Sequence, residues 1–221
     1  MTATSAEAPT LLLLNGITRS ADSWAPLRDL LSDRPAVALE GVGVEAGPAA
    51  VRTIPEQARR IVARMDADGL RRADILGFSH GGLVAQQFAF AAPSRVGRLI
   101  LVSTSCGAGA TVAAPSWGWG ARSSAPALEP RAYGVVAAQM VANANWSSIP
   151  FLGGIAAPTL IIHGVHDRLV PVENARVLAR RIPGAELALL DFGHDLQREE
   201  PMRQVAHLVS EFLGAPLPRH A

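Results

Sequence analysis

Short, mostly apolar runs recur along this chain, each too brief for a helix and separated by stretches with helical periodicity. They are Leu11–Leu14, Val37–Leu39, Ile75–Gly77, Leu99–Val102 and Thr159–His163. A strand with one wet face alternates apolar and polar residues; a strand covered on both faces reads as a continuous apolar run. Between the runs, Trp24–Leu31 can form a helix. Pro55 opens another whose Ala58, Ile61, Val62 and Met65 fall at i, i+3, i+4 and i+7, and Gly81–Ala92 forms a third that Pro93 stops. Late in the chain a helix over Glu173–Ile182, a strand over Glu186–Leu190 and a helix over Glu200–Leu213 continue the alternation. Strand and helix in turn predict an α/β fold: a mostly parallel, twisted sheet with helices on both faces.

The alternation breaks once, between the fourth and fifth runs. Residues 104–157 are rich in Ala, Gly, Pro and Trp, and only Arg131–Ala144 reads as a helix. A stretch of that length inside a compact unit is usually functional or disordered; it reads as a lid inserted into a single domain spanning 1–221, with a partly disordered loop as the alternative. Such a chain can bury a core without metal or disulfide staples.

Composition removes several chemistries. All twenty basic residues are arginine, so Schiff-base catalysis, pyridoxal phosphate and the phosphate-binding lysine of a P-loop are excluded. A formal net charge of +1 offers no electrostatic footprint for nucleic acid. The single cysteine, Cys106, permits no internal disulfide, in keeping with a cytoplasmic location, and Leu11–Leu14 is too short for a membrane span. Gly41, Gly43 and Gly47 miss the dinucleotide-binding spacing. His163 and His166 lack the further ligands a metal site needs. Neither a metal nor a cofactor is expected.

In a parallel sheet, functional groups collect just beyond the carboxyl ends of the strands. After the third run comes Gly77-Phe78-Ser79-His80-Gly81, the Gly-x-Ser-x-Gly elbow that lifts a serine Oγ onto a sharp strand-to-helix turn. Side chains at Gly77 and Gly81 would collide there. After the fifth run comes Asp167, and after the sixth comes His194. A serine hydroxyl is a weak nucleophile at neutral pH and needs an imidazole to take its proton. Ser79, Asp167 and His194 therefore form the expected triad, in the chain order Ser–Asp–His. Asp191 is a poorer candidate acid, too near His194 in sequence to reach the far side of its ring, and Asp195 is expected to face solvent or an arginine. The backbone N–H groups of His80 and Ile17 are the candidate oxyanion donors. Asn15, Gly16, Trp117 and Trp146 are candidate pocket residues, although the tryptophans suit packing within the lid better than stacking on a substrate, and a greasy pocket wall is compatible with both.

At these residues the chain resembles the α/β-hydrolase-fold enzymes. The likeness rests on Leu-Leu-Asn-Gly-Ile at 13–17, Gly-Phe-Ser-His-Gly-Gly at 77–82, His-Gly-Val-His-Asp-Arg-Leu-Val-Pro at 163–171 and Phe-Gly-His at 192–194. Within that superfamily it is most similar to the intracellular poly(3-hydroxyalkanoate) depolymerases. The shared pieces are Asn15-Gly16-Ile17, Ala85–Ala89, Ser103–Gly107, Trp146–Pro150 and Ala179–Pro183. The resemblance implies cleavage of oxoesters of 3-hydroxy fatty acids, with Ser79 as nucleophile, Asp167 as acid and His194 as base. Two departures stand out: His80 occupies a position where the family carries tryptophan, and the Gly41-Val42-Gly43 loop and the lid are shorter. A serine hydrolase acting on carboxylic esters with an apolar or 3-hydroxyacyl group is the first expectation. Thioesterase, lactonase or C–C bond hydrolase chemistry on the same triad is the alternative, along with a hydrolase-like binding protein that turns nothing over. The expected partners are a small-molecule or oligomeric ester, not nucleic acid, with a homodimer as the alternative to a monomer.

Overall fold

The computed structural model describes residues 8–17, 19–39, 51–108 and 130–214. Six strands form its sheet: β1 (Leu11–Leu14), β2 (Ala36–Leu39), β3 (Ala73–Phe78), β4 (Val96–Val102), β5 (Thr159–Gly164) and β6 (Glu186–Leu190). Their spatial order is β2-β1-β3-β4-β5-β6, and every neighbouring pair is parallel. The helices between them are α1 (Ala25–Leu30), α2 (Ile54–Ala67), α3 (His80–Ala91), α4 (Pro130–Asn143), α5 (Glu173–Arg181) and α6 (Glu199–Gly214).

Alternation along each strand sorts the core into two layers. Leu12, Leu14, Ile75, Leu99, Leu101 and Ile161 point to the face covered by α2, α3 and α5. Leu11, Leu13, Leu76, Phe78, Ile100 and Ile162 point to the opposite face, under α1 and α6. Both faces of the inner strands β1, β3, β4 and β5 are dry, which is why they lack a polar period, while edge strand β6 is partly exposed. Helix α2 begins at a capping box: the Glu56 carboxylate accepts from both the N–H and the Oγ–H of Thr53, at 2.8 Å each.

Strand β3 is longer than its apolar run because Asp74 belongs to it. Its side chain is fully buried, accepts the Arg98 N–H at 2.8 Å and lies 3.5 Å from Arg34. Burial raises its pKa against the pull of Arg98, Arg34 and Arg72. A charged residue that reads as a loop thus enters a central strand because arginines meet it there.

The chain order reverses between β1 and β3, which are adjacent in the sheet. Connections therefore leave the two carboxyl ends in opposite directions and open a crevice between them, the usual place for a ligand in such sheets. The expected insertion runs between β4 and β5. Its residues 109–129, Trp117 and Trp119 included, lie outside the described residues, as do 1–7 and the Gly41, Gly43 and Gly47 cluster. Among the described residues no helix is long and apolar enough to cross a membrane.

Phe88 on α3 is wholly buried in the α2–α3–α5 layer. Replacing it with alanine removes a large ring from a close-packed layer and should cost about 3–5 kcal/mol. Urea denaturation of Phe88→Ala checks this.

Candidate active site

Ser79 sits between the end of β3 and the first residue of α3 with φ 52° and ψ −116°, a backbone conformation rarely adopted by side-chain-bearing residues. Neighbouring backbone fixes it there. The Ser79 N–H donates to the Val102 carbonyl at 2.9 Å, and its own carbonyl accepts from Gly82 N–H at 2.9 Å and Thr104 Oγ–H at 2.7 Å. A Cβ on Gly77 would lie 2.5 Å from the Gly81 carbonyl oxygen. One on Gly81 would strike the carbonyls of Leu14 and Asn15. Absence of that atom lets the end of β1 rest directly on the first turn of α3.

The same contact sets Asn15-Gly16-Ile17 beside Ser79. A Cβ on Gly16 would lie 3.0 Å from the Phe78 ring and 3.5 Å from Ser79 Cβ. Among the described residues, no backbone carbonyl accepts the N–H of Ile17 or of His80. Asn15 is buried, and its Oδ1 has no partner among them either.

Asp167 and His194 meet on the other side. His194 Nε2 is 3.2 Å from Ser79 Oγ, and His194 Nδ1 is 2.7 Å from Asp167 Oδ2. The expected three side chains are therefore brought into one hydrogen-bonded row. A second glycine contact makes this approach possible: a Cβ on Gly164, the last residue of β5, would strike the carbonyls of Phe192 and Gly193. The Phe192 carbonyl instead accepts the His166 N–H at 3.0 Å, which locks the histidine loop onto the acid loop.

The acid is surrounded by donors. Asp167 Oδ1 accepts N–H bonds from Leu169 at 2.9 Å and Val170 at 2.7 Å, while Oδ2 faces His194 and, at 3.3 Å, His163 Nε2. Burial alone would raise its pKa; hydrogen bonds from His163, His194 and the Val170 N–H overcome that and lower it to about 2. His163 is fully buried, with Nε2 also 2.8 Å from the Val170 carbonyl. It is held as a hydrogen-bonded strand-end residue, and His166 turns away to the surface to meet Asp191 at 2.7 Å. The two histidines do not converge, and among the described residues no three His, Cys, Asp or Glu side chains gather as a metal site. Asp195 pairs with Arg19 at 2.5 Å, tying the segment after Ile17 to the segment after His194.

Trp146 lies elsewhere. Its Nε1–H donates to Gln87 Oε1 at 2.9 Å and its ring packs edge-on to Phe151. Gln87 is eight residues beyond Ser79, about 12 Å along α3, so this tryptophan fastens the insertion to the helix. The sequence reading did not single out Thr104, Arg19 or Gly164. A glycine directly at a strand end is the one local signal that could have found Gly164. His80 is also more constrained than its neighbourhood suggested. Its ring is buried between Gln57 and Asn143, and burial lowers its pKa to about 4, so it is neutral at physiological pH.

The fold has counterparts among known proteins. The family model described as alpha/beta hydrolase fold matches residues 9–147. A poly(3-hydroxyalkanoate) depolymerase of Ectopseudomonas oleovorans is 29% identical over 83% of this chain and 77% of its own length. A putative carbamate hydrolase, RutD, of Stutzerimonas stutzeri strain A1501 is 27% identical over 90% of each chain. Among solved structures, a hydrolase from Pseudomonas aeruginosa PA01 superposes with a TM-score of 0.74 at 27% identity, covering 96% of this chain and 92% of the other.

Two outcomes are expected. Gly164→Ala forces backbone apart at the junction of the acid and histidine loops and should destabilise by about 1–3 kcal/mol; the purified variant should show a lower melting temperature. Asp167 contributes stability above its ordinary value of 3.8, lost as pH falls from there towards about 2. Urea midpoints measured between those values should fall more steeply for the natural protein than for Asp167→Asn.

Proposed function

The chain belongs to the alpha/beta hydrolase fold family, and we propose that it is a cofactor-independent serine hydrolase cleaving carboxylic esters with an apolar or 3-hydroxyacyl group. The observation that carries this reading is the row Ser79 Oγ, His194 Nε2, His194 Nδ1, Asp167 Oδ2, at 3.2 Å and 2.7 Å. Asp167 accepts from Nδ1–H and so presents the Nε2 lone pair to Ser79. Ser79 Oγ adds to the ester carbonyl while His194 takes its proton. Negative charge then develops on the former carbonyl oxygen, between the N–H groups of Ile17 and His80. His194 returns the proton to the departing alcohol and an acyl-enzyme remains on Ser79. Water, activated by the same imidazole, releases the acid. Because Asp167 stays ionised down to about pH 2, it stabilises the imidazolium throughout and never competes for the proton.

The relatives supply the substrate side of the reading. The depolymerase relative is named for a polyester, and the chain covers most of it. Relatives named as putative carbamate hydrolases favour a second reading, in which the same serine attacks a carbamate carbonyl.

A fluorophosphonate should label the folded protein at Ser79, and Ser79→Ala should remove the label. Turnover of p-nitrophenyl esters should fall by about 10⁴–10⁶ in kcat for Ser79→Ala and His194→Ala. Undiminished turnover in Ser79→Ala defeats the serine mechanism. Carbamate turnover without ester turnover selects the second reading, and ligand binding with neither marks a non-catalytic protein.

A further inference from the structure

A closed ring of hydrogen bonds joins the elbow to the insertion through the side chain of His80. Its Nε2 lies 3.0 Å from Gln57 Oε1 on α2, and its Nδ1 lies 3.2 Å from Asn143 Nδ2 at the end of α4. The Gln57 amide donates to the Arg52 carbonyl at 3.0 Å. Gln139, one turn before Asn143 on α4, donates to that same carbonyl at 2.6 Å and accepts the Arg52 N–H at 3.2 Å. It also donates to Asn143 Oδ1 at 3.0 Å, which closes the circuit.

Every donor and acceptor in the circuit has one consistent assignment. Gln139 gives its amide protons to Asn143 Oδ1 and the Arg52 carbonyl, so Asn143 must present its NH₂ to His80. His80 Nδ1 must then accept, and its single proton sits on Nε2, where Gln57 Oε1 receives it. His80 is the only titratable side chain in the ring; Arg52 takes part through its backbone, and the other members are neutral amides. A proton on Nδ1 would face an NH₂ donor, and turning that amide round would oppose the Gln139 donor.

Three residues on from Asn143, Trp146 donates to Gln87. Residues 143 and 146 thus attach to α3 at two points, His80 and Gln87, seven residues or about 10 Å apart along the helix. The first of these is the residue next to Ser79.

We propose that His80 is a positioning residue whose neutral Nε2–H tautomer docks α4 onto the elbow through Asn143, fixing the wall against which the longer acyl groups of substrates lie. The idea rests on the serine-hydrolase reading. On this proposal an acetyl group on Ser79 meets only the triad and the oxyanion donors, whereas an octanoyl chain reaches α4, which Asn143 holds against the residue next to Ser79. Asn143 therefore governs binding of long chains, and it does so by donating to an unprotonated ring nitrogen.

Two variants separate this role from simple packing. In Asn143→Ala the donor is lost; the ratio of KM for p-nitrophenyl octanoate to KM for the acetate should rise roughly five- to tenfold, about what one neutral hydrogen bond is worth. In Asn143→Asp the new carboxylate can only accept, so His80 must carry protons on both nitrogens. That variant keeps the link as an ion pair, holds the KM ratio within about twofold of the natural value, and shifts the His80 ring ¹⁵N resonances to those of an imidazolium at pH 7. The natural protein should show the neutral Nε2–H pattern. A natural KM ratio in Asn143→Ala, or a His80 ring in the natural protein protonated at Nδ1, overturns the proposal. Because the resonances are read without substrate, they report on His80 even if the esters prove to be the wrong substrates; loss of turnover in Ser79→Ala tests the hydrolase reading separately.

Discussion

Backbone packed on backbone at two glycines is the constraint from which the rest of the site follows. At Gly81 the carbonyls of Leu14 and Asn15 rest where a side chain would otherwise stand, and at Gly164 those of Phe192 and Gly193 do the same. The first contact brings β1's exit loop against Ser79, and the second brings the histidine loop against the acid loop. Neither is a directional bond, and neither would survive a methyl group. The side chains of Ser79, Asp167 and His194, at the ends of three different strands, come within hydrogen-bonding range because those strands' exit loops lie this close.

Electrostatics then act on what packing has assembled. Asp167 is buried, an unfavourable place for a carboxylate, yet two backbone N–H groups and two imidazoles surround it and the charged form prevails. His80, also buried, meets only amides, and the neutral form prevails. His194 and His80 thus differ in their partners: His194 meets a carboxylate, and His80 meets only amides.

Much of the fold was legible because β-strands covered on both faces leave an unmistakable apolar record, and helix periods fall between them. The triad was legible for a related reason, since strand ends announce themselves and Ser79, Asp167 and His194 each follow one. What escaped is polar and long-range. Gln57, Gln139 and Asn143 are ordinary helix residues whose meeting depends on how three helices pack, and an amide carries no periodic or compositional signal of its partner. Asp74 was missed in β3 because an acidic residue carries no sequence sign that it will be buried, where the Arg98 N–H and Arg34 meet it. Trp146 had two readings in sequence, and only its bond to Gln87 places it along α3. The expectation for Asp195 held, as Arg19 meets it.

The position of β6 has a consequence for how the molecule comes to life during synthesis. β6 is the last strand among the described residues, it lies at the edge of the sheet, and its exit loop carries His194. A ribosome-bound chain that has paired the first five strands already holds Ser79 and Asp167 but lacks the imidazole that bridges them. The same holds for a mature molecule in which that outer strand briefly detaches, since edge elements open at lower free energy than the centre of a sheet. The bridge between Ser79 and Asp167 is therefore completed last and lost first, by one short strand, while the remainder of the sheet stays folded.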